Sequence, residues 1–88
     1  MKPTAQFEIR FLPSVRKDLR GIPKPTVKRI LQAIDRLATN PRPRECKKLT
    51  GHALFRIRVG VYRVIYEIRG DELVVIVVKV GHRRGVYD

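Results

Sequence analysis

Between Leu54 and Val80 almost every residue favours a strand, and only Gly60 and the Gly70-Asp71 step interrupt the run. A chain patterned this way must fold its second half as an antiparallel meander. Phe55, Ile57 and Val59 alternate with Leu54, Arg56 and Arg58, and residues 61–68 continue the alternation. A turn at Gly60-Val61 puts glycine at the first central position of a II′ turn and pairs Val59 with Tyr62 and Arg58 with Arg63. Sliding the turn to Val59-Gly60 pairs Arg56 with Arg63 instead. Both registers have the same parity, so Arg56, Arg58 and Arg63 share one face and Phe55, Ile57, Tyr62, Val64 and Tyr66 the other. A two-residue turn at Gly70-Asp71 would then set Arg69 opposite Glu72 and Arg63 opposite Val78.

The first half carries a different period. Phe7, Ile9 and Phe11 alternate with polar residues as a strand with one wet face. Pro13 and Ser14 open a short helix with Leu12, Val15, Leu19 and Ile22 along one stripe and Gly21 as its stop. Pro25 starts a second helix in which Val27, Ile30, Leu31, Ile34, Leu37 and Ala38 recur at spacings of three and four, ended by Asn40-Pro41. Lys28, Arg29, Gln32 and Arg36 form its solvated side. The segment NPRPRECKK, residues 40–48, has no usable period and reads as a surface loop.

Eighty-eight residues make one domain, with a core too small to bury more than about 60–65% of the unfolded surface, so function belongs on a face or an edge. Twenty Lys and Arg against eight Asp and Glu leave a net charge of +12, which calls for an anionic partner. Cys46 is the only cysteine, so no internal disulfide can form, and this fits a reducing, cytoplasmic setting. One Cys and two His at unfavourable spacings make no metal site. Glu8 and Arg10 interrupt any signal-peptide core, and no apolar run approaches the ~18 residues of a membrane span.

The arginine face admits two readings: the solvent side of a basic sheet, or a binding site for an anion that relieves cross-strand repulsion of up to ~1 kcal/mol per pair. The C-terminal sequence KVGHRRGVYD favours the second, because it delivers His82, Arg83, Arg84 and Tyr87 near the strand end where Arg63 should lie. His82 is either a proton-transfer group or an exposed residue at a strand end. His52 reads as an exposed loop histidine and Cys46 as inert.

Three segments, KKLTG (residues 47–51), FRIRVGVYRVIYEI (55–68) and VVIVVKVGHRRGVY (74–87), resemble in order and spacing the RelE-type toxins of the RelE/ParE toxin–antitoxin superfamily. The resemblance spans nearly the whole chain and implies an α+β fold over residues 1–88. That fold is a small four-stranded, largely antiparallel sheet with two N-terminal helices packed on one face, in the order β-α-α-β-β-β. It further implies a metal-independent endoribonuclease without cofactor that cleaves mRNA on the ribosome and inhibits translation. A ribose 2′-hydroxyl attacks the adjacent phosphate, and a cognate acidic antitoxin holds the toxin inactive in a hetero-oligomer. By this resemblance Arg63, Arg83 and Tyr87 carry over directly; Arg58 and His82 join them as catalytic candidates from their place in the sequence, and Lys47, Lys48, Arg56 and Arg84 as RNA-binding candidates from their charge.

The family often has lysines where this chain has Arg56 and Arg58. Arginine hardly deprotonates but clamps phosphate well, so which group takes the 2′-hydroxyl proton stays open. Some relatives use a C-terminal histidine. Two other functions compete: a ParE-like toxin that binds DNA gyrase, which would not need the cluster of Arg63, His82, Arg83 and Tyr87, and a basic nucleic-acid-binding module without catalysis, which the charge alone supports equally well.

Overall fold

A computed structural model of the protein describes residues 6–49 and 53–82. In chain order the elements are β1 (Glu8–Phe11), α1 (Pro13–Arg20), α2 (Lys24–Arg36), β2 (Lys47–Lys48), β3 (Leu54–Val59), β4 (Tyr62–Arg69) and β5 (Val74–His82). They build one sheet in the order β1-β5-β4-β3-β2, antiparallel except for the β1–β5 pair. The α+β class is as expected, with one strand more. Lys47–Lys48 pairs with Arg56 and Phe55, and a two-residue strand is too short to leave a period in the sequence.

Both helices cover one face. Val15 and Ile22, then Ile30, Ile34 and Leu37, pack on Phe55, Ile57, Val59, Val64, Tyr66, Val75, Val77 and Val80. Proline fixes each helix start, since its missing N–H belongs to a turn that has no intrahelical acceptor. α1 stops at Gly21, as expected. The regular part of α2 closes at Arg36, before Asn40-Pro41, because three tighter bonds follow, Leu37 N–H to Ile34, Ala38 to Asp35 and Thr39 to Arg36. Leu31, at the margin of the α2 stripe, stays exposed beside Phe11 and Leu12.

The β3–β4 turn is the one expected at Gly60-Val61, with Gly60 at φ +62° and Arg58 opposite Arg63. The β4–β5 connection differs. Glu72 and Leu73 N–H bond back to the Arg69 and Gly70 carbonyls, and Leu73 takes φ +54°, so the strand resumes only at Val74, opposite Arg69. Tyr66 therefore pairs with Val77, and a bulge between Ile65 and Tyr66 leaves Val78 as the extra residue. Beyond it Ile65 faces Lys79, Arg63 faces Gly81 and Tyr62 faces His82, so Arg63 does not lie opposite Val78. Strict alternation after Val75 and Val77 would have buried Lys79; the bulge puts Val80 into the core in its place.

The last bond from β1 to β5 runs from Leu12 N–H to the Val77 carbonyl. Further along this edge the Asp18 carboxylate accepts the Val80 N–H at 3.1 Å and the Lys79 ammonium at 3.2 Å. α1 is thereby tied to the strand end that leads into the C-terminal segment.

Candidate active site

The face away from the helices carries two rows of neighbours. Lys47, Arg56, Ile65 and Lys79 form one, and Arg58, Arg63 and Gly81 the other. The sheet thus brings together four of the basic residues singled out from the sequence, Lys47, Arg56, Arg58 and Arg63, and adds Lys79. Lys48 pairs with Phe55 and so points to the opposite face. Arg63 is 7% exposed and Ile65 0%, so this is not a bare solvated sheet surface. Arg58 is exposed and Arg56 half-buried. The bulge leaves glycine, without a side chain, as the cross-strand neighbour of Arg63.

Among the described residues, charge compensation lies mostly toward the other end of the molecule, apart from the Lys79–Asp18 pair at 3.2 Å. Arg10 pairs with Glu8 at 3.0 Å, and Arg69 pairs with Glu67 at 2.9 Å and Glu72 at 3.9 Å, all near the β4–β5 turn. A hydrogen bond and the charge of Arg10 hold the Glu8 carboxyl below its ordinary range, and Glu67 does the converse to Arg69. Among the described residues, no ion pair involves Lys47, Arg56 or Arg58. Lys47, Arg56 and Arg58 therefore contribute a positive field at the β3–β4 end.

His82 takes the face opposite to the arginine row. It lies opposite Tyr62 and meets that ring edge-on, with centroids 5.8 Å apart, and Tyr62 points to the helix side of the sheet. The C-terminal end of β5 does reach Arg63, through Gly81, but the bulge shifts the parity of β5 and turns His82 to the Tyr62 side. Arg83, Arg84, Tyr87 and His52 lie outside the described residues. No cluster of three or more His, Cys, Asp or Glu exists among the described residues.

On the helix side, a cleft of about 690 Å³ runs between α2, the loop after it and the uncovered end of β3. Arg29 and Arg36, read from the sequence as the solvated side of a helix, line it together with Arg44 and Arg58. The signal was available, since residues seven apart lie on one helical face. The loop wall is held by the Tyr66 hydroxyl, which donates to the Pro41 carbonyl at 2.7 Å, and by the Arg42 guanidinium, 5.2 Å from the Phe55 ring centroid. Burial, with Cys46 beside it, pushes the Tyr66 phenol well above its ordinary value.

A family model described as ParE toxin of type II toxin-antitoxin system, parDE, matches residues 9–87. The chain is 35% identical over 87 residues to Toxin RelE3 of Methanocaldococcus jannaschii, covering 93% of this chain and 97% of that protein. It is similar in structure to the archaeal RelE-RelB complex from Pyrococcus horikoshii OT3, with TM-score 0.80, 33% identity and coverage of 89% and 96% of the two chains. The toxin-antitoxin complex RelBE2 of Mycobacterium tuberculosis gives TM-score 0.81 at 26% identity, covering 94% and 98%.

Proposed function

The chain belongs to the ParE toxin family of type II toxin–antitoxin systems and is of RelE type within it, and on that premise we propose that it is a ribosome-dependent mRNA endoribonuclease. The observation that carries the proposal is the Arg58–Arg63 cross-strand pair with Arg63 almost withdrawn from solvent. A protein that only needs solubility has no reason to bury one of two facing guanidinium groups, because each raises the cost of the other.

In the reaction, a ribose 2′-oxygen attacks the adjacent phosphorus in line. The P–O5′ bond breaks, leaving a 2′,3′-cyclic phosphate and a 5′-hydroxyl. One proton leaves the 2′-hydroxyl and another reaches the departing O5′. Charge accumulates on the non-bridging oxygens, and a preorganised guanidinium in a poorly solvated place opposes it most effectively. Arg63 takes that role, with Arg58 beside it. Arg56 and Lys47 hold the flanking phosphates, with Lys48 and Arg84 as outlying contacts. Arg83 supplies a further cation, and Tyr87 stacks on a splayed base. Arginine stays protonated at neutral pH, and His82 faces Tyr62, so the 2′-hydroxyl proton passes to water or to a group of the ribosome. No step calls for a metal or a cofactor.

The RelE proteins of the two complexes are each held by an antitoxin, and we assign this chain a cognate acidic antitoxin that covers the basic face and buries Arg58 and Arg63. The site of action is the cytoplasm, where ribosomes and mRNA are. The test adds purified protein to ribosomes programmed with a defined mRNA and maps the breaks. Discrete breaks with cyclic-phosphate ends are expected. Intact mRNA together with inhibited DNA gyrase would overturn the proposal in favour of a ParE-like action, ParE being the name that the matching family model carries.

A further inference from the structure

We infer that the cleft between α2, the 39–46 loop and the end of β3 is a second binding site for an RNA sugar–phosphate backbone, adjoining the place of cleavage at Arg58. Four arginines, Arg29, Arg36, Arg44 and Arg58, line it against a single carboxylate, Glu45. Its remaining polar groups, Gln32, Thr39 and Asn40, are neutral side chains able to meet ribose hydroxyls and phosphate oxygens. None of the four arginines has an ion-pair partner among the described residues.

Concavity and rigidity set this cluster apart from an ordinary charged surface. Arg29 and Arg36 lie on one side of α2, about 10.5 Å apart along its axis at 1.5 Å per residue, too far to serve a single phosphate. Arg44 projects from the opposite wall, and that wall does not depend on the ligand for its position. The Tyr66–Pro41 hydrogen bond pins it to the sheet, Arg42 stacks on Phe55, and the Cys46 N–H closes a turn on the Pro43 carbonyl. A backbone ligand meets a preformed groove, so less ordering entropy opposes binding.

The cleft also connects with the arginine face. β2 pairs only with Phe55 and Arg56, leaving the end of β3 uncovered, and Arg58 belongs both to the cleft lining and to the pair with Arg63. A single strand engaged at Arg63 can pass around this end of β3 and continue along α2. The inference rests on the ribonuclease reading for the identity of the anion as RNA. The strand is either the mRNA itself or ribosomal RNA, which have the same backbone chemistry.

The test compares Arg29→Ser, Arg36→Ser and Arg44→Ser combined with a control that removes equal charge from α1, Arg16→Ser, Lys17→Ser and Arg20→Ser. Affinity for a short 2′-O-methyl RNA, which cannot be cleaved, and for mRNA-free small ribosomal subunits is measured between about 50 and 200 mM salt. The cleft variant is expected to flatten the log–log salt slope by about 2, three phosphates at ~0.7 each, and the α1 control by far less. Flattening on the oligonucleotide assigns the cleft to mRNA; flattening on the subunits assigns it to ribosomal RNA. The combined Arg→Lys variant should keep the slope. If the triple variant fails to fold, Arg29→Ser alone should still flatten the slope by about 0.7. Equal flattening by cleft and control variants would overturn the inference. So would unchanged RNA slopes with lost binding to the acidic antitoxin, which would make the cleft a protein site. Intact mRNA in the cleavage assay, with the cleft slopes behaving as expected, would instead sink the ribonuclease and leave the RNA site standing.

Discussion

Replacing Arg58 with glutamine should make the protein more stable and less active. Arg58 and Arg63 are direct cross-strand partners, and Arg63 is only 7% exposed. For two like charges about 7 Å apart, Coulomb repulsion is ~0.6 kcal/mol in bulk water and about twice that at half the dielectric constant. Screening at physiological salt removes roughly half, which leaves ~0.3–0.6 kcal/mol, within the usual scale of cross-strand pair energies. For a domain of this size that is a rise in Tm of about 1–5 °C. Glutamine keeps a similar stem, so little packing is lost. The assay is a thermal melt of wild type, Arg58→Gln and the exposed control Arg16→Gln, each at low salt and in about 1 M NaCl, where the Debye length falls to ~3 Å. The gain should belong to Arg58→Gln and largely vanish in high salt, while ribosomal cleavage drops at least about tenfold. A lower Tm, or a gain indifferent to salt, would refute the idea that the pair carries cross-strand repulsion held for function.

Tyr66→Phe keeps the buried ring but deletes the bond to the Pro41 carbonyl, and urea melts should show a loss of about 1–2 kcal/mol. Because burial raises the folded-state pKa of this phenol above 10.0, its contribution is complete below that pH and is lost as pH rises beyond it; the wild type should lose stability there more steeply than Tyr66→Phe. Gly60→Ala meets nothing within 4 Å yet must hold φ +62°, so a cost of about 1 kcal/mol with an unchanged m-value is expected in denaturant melts. His82→Gln should leave the pH–rate profile of cleavage unchanged and its magnitude within about threefold; a loss of ~10²-fold with the rise near neutral pH abolished would make His82 the base despite its place on Tyr62.

How far the sequence reached depended on the kind of signal. Parity alone placed Arg56, Arg58 and Arg63 on one face, because every two-residue turn around Gly60 preserves it. Alternation states which face a residue takes but not how deeply it is covered, so the burial of Arg63 was not legible. The β4–β5 register was missed because Leu73 adopts a left-handed conformation that a leucine rarely takes, and no local pattern announces it. The bulge did leave a trace, since Val75, Val77 and Val80 keep a lysine out of the core only if one residue is skipped. That trace moves His82 to the face of Tyr62. The α2 cleft was hidden for another reason: a charged helical side looks the same in sequence whether it faces open water or a groove closed by a distant loop.

The central claim, that the arginine face performs RNA cleavage, is tested most directly by single-turnover cleavage of mRNA on programmed ribosomes with wild type and Arg63→Ala, at saturating protein and with folding of both checked by melts. Loss of one preorganised donor to the transition state should slow the variant by about 10²-fold or more at saturation, where weaker binding no longer limits the rate. Equal rates from a folded Arg63→Ala protein would contradict the account, because the buried guanidinium would then contribute nothing to the reaction.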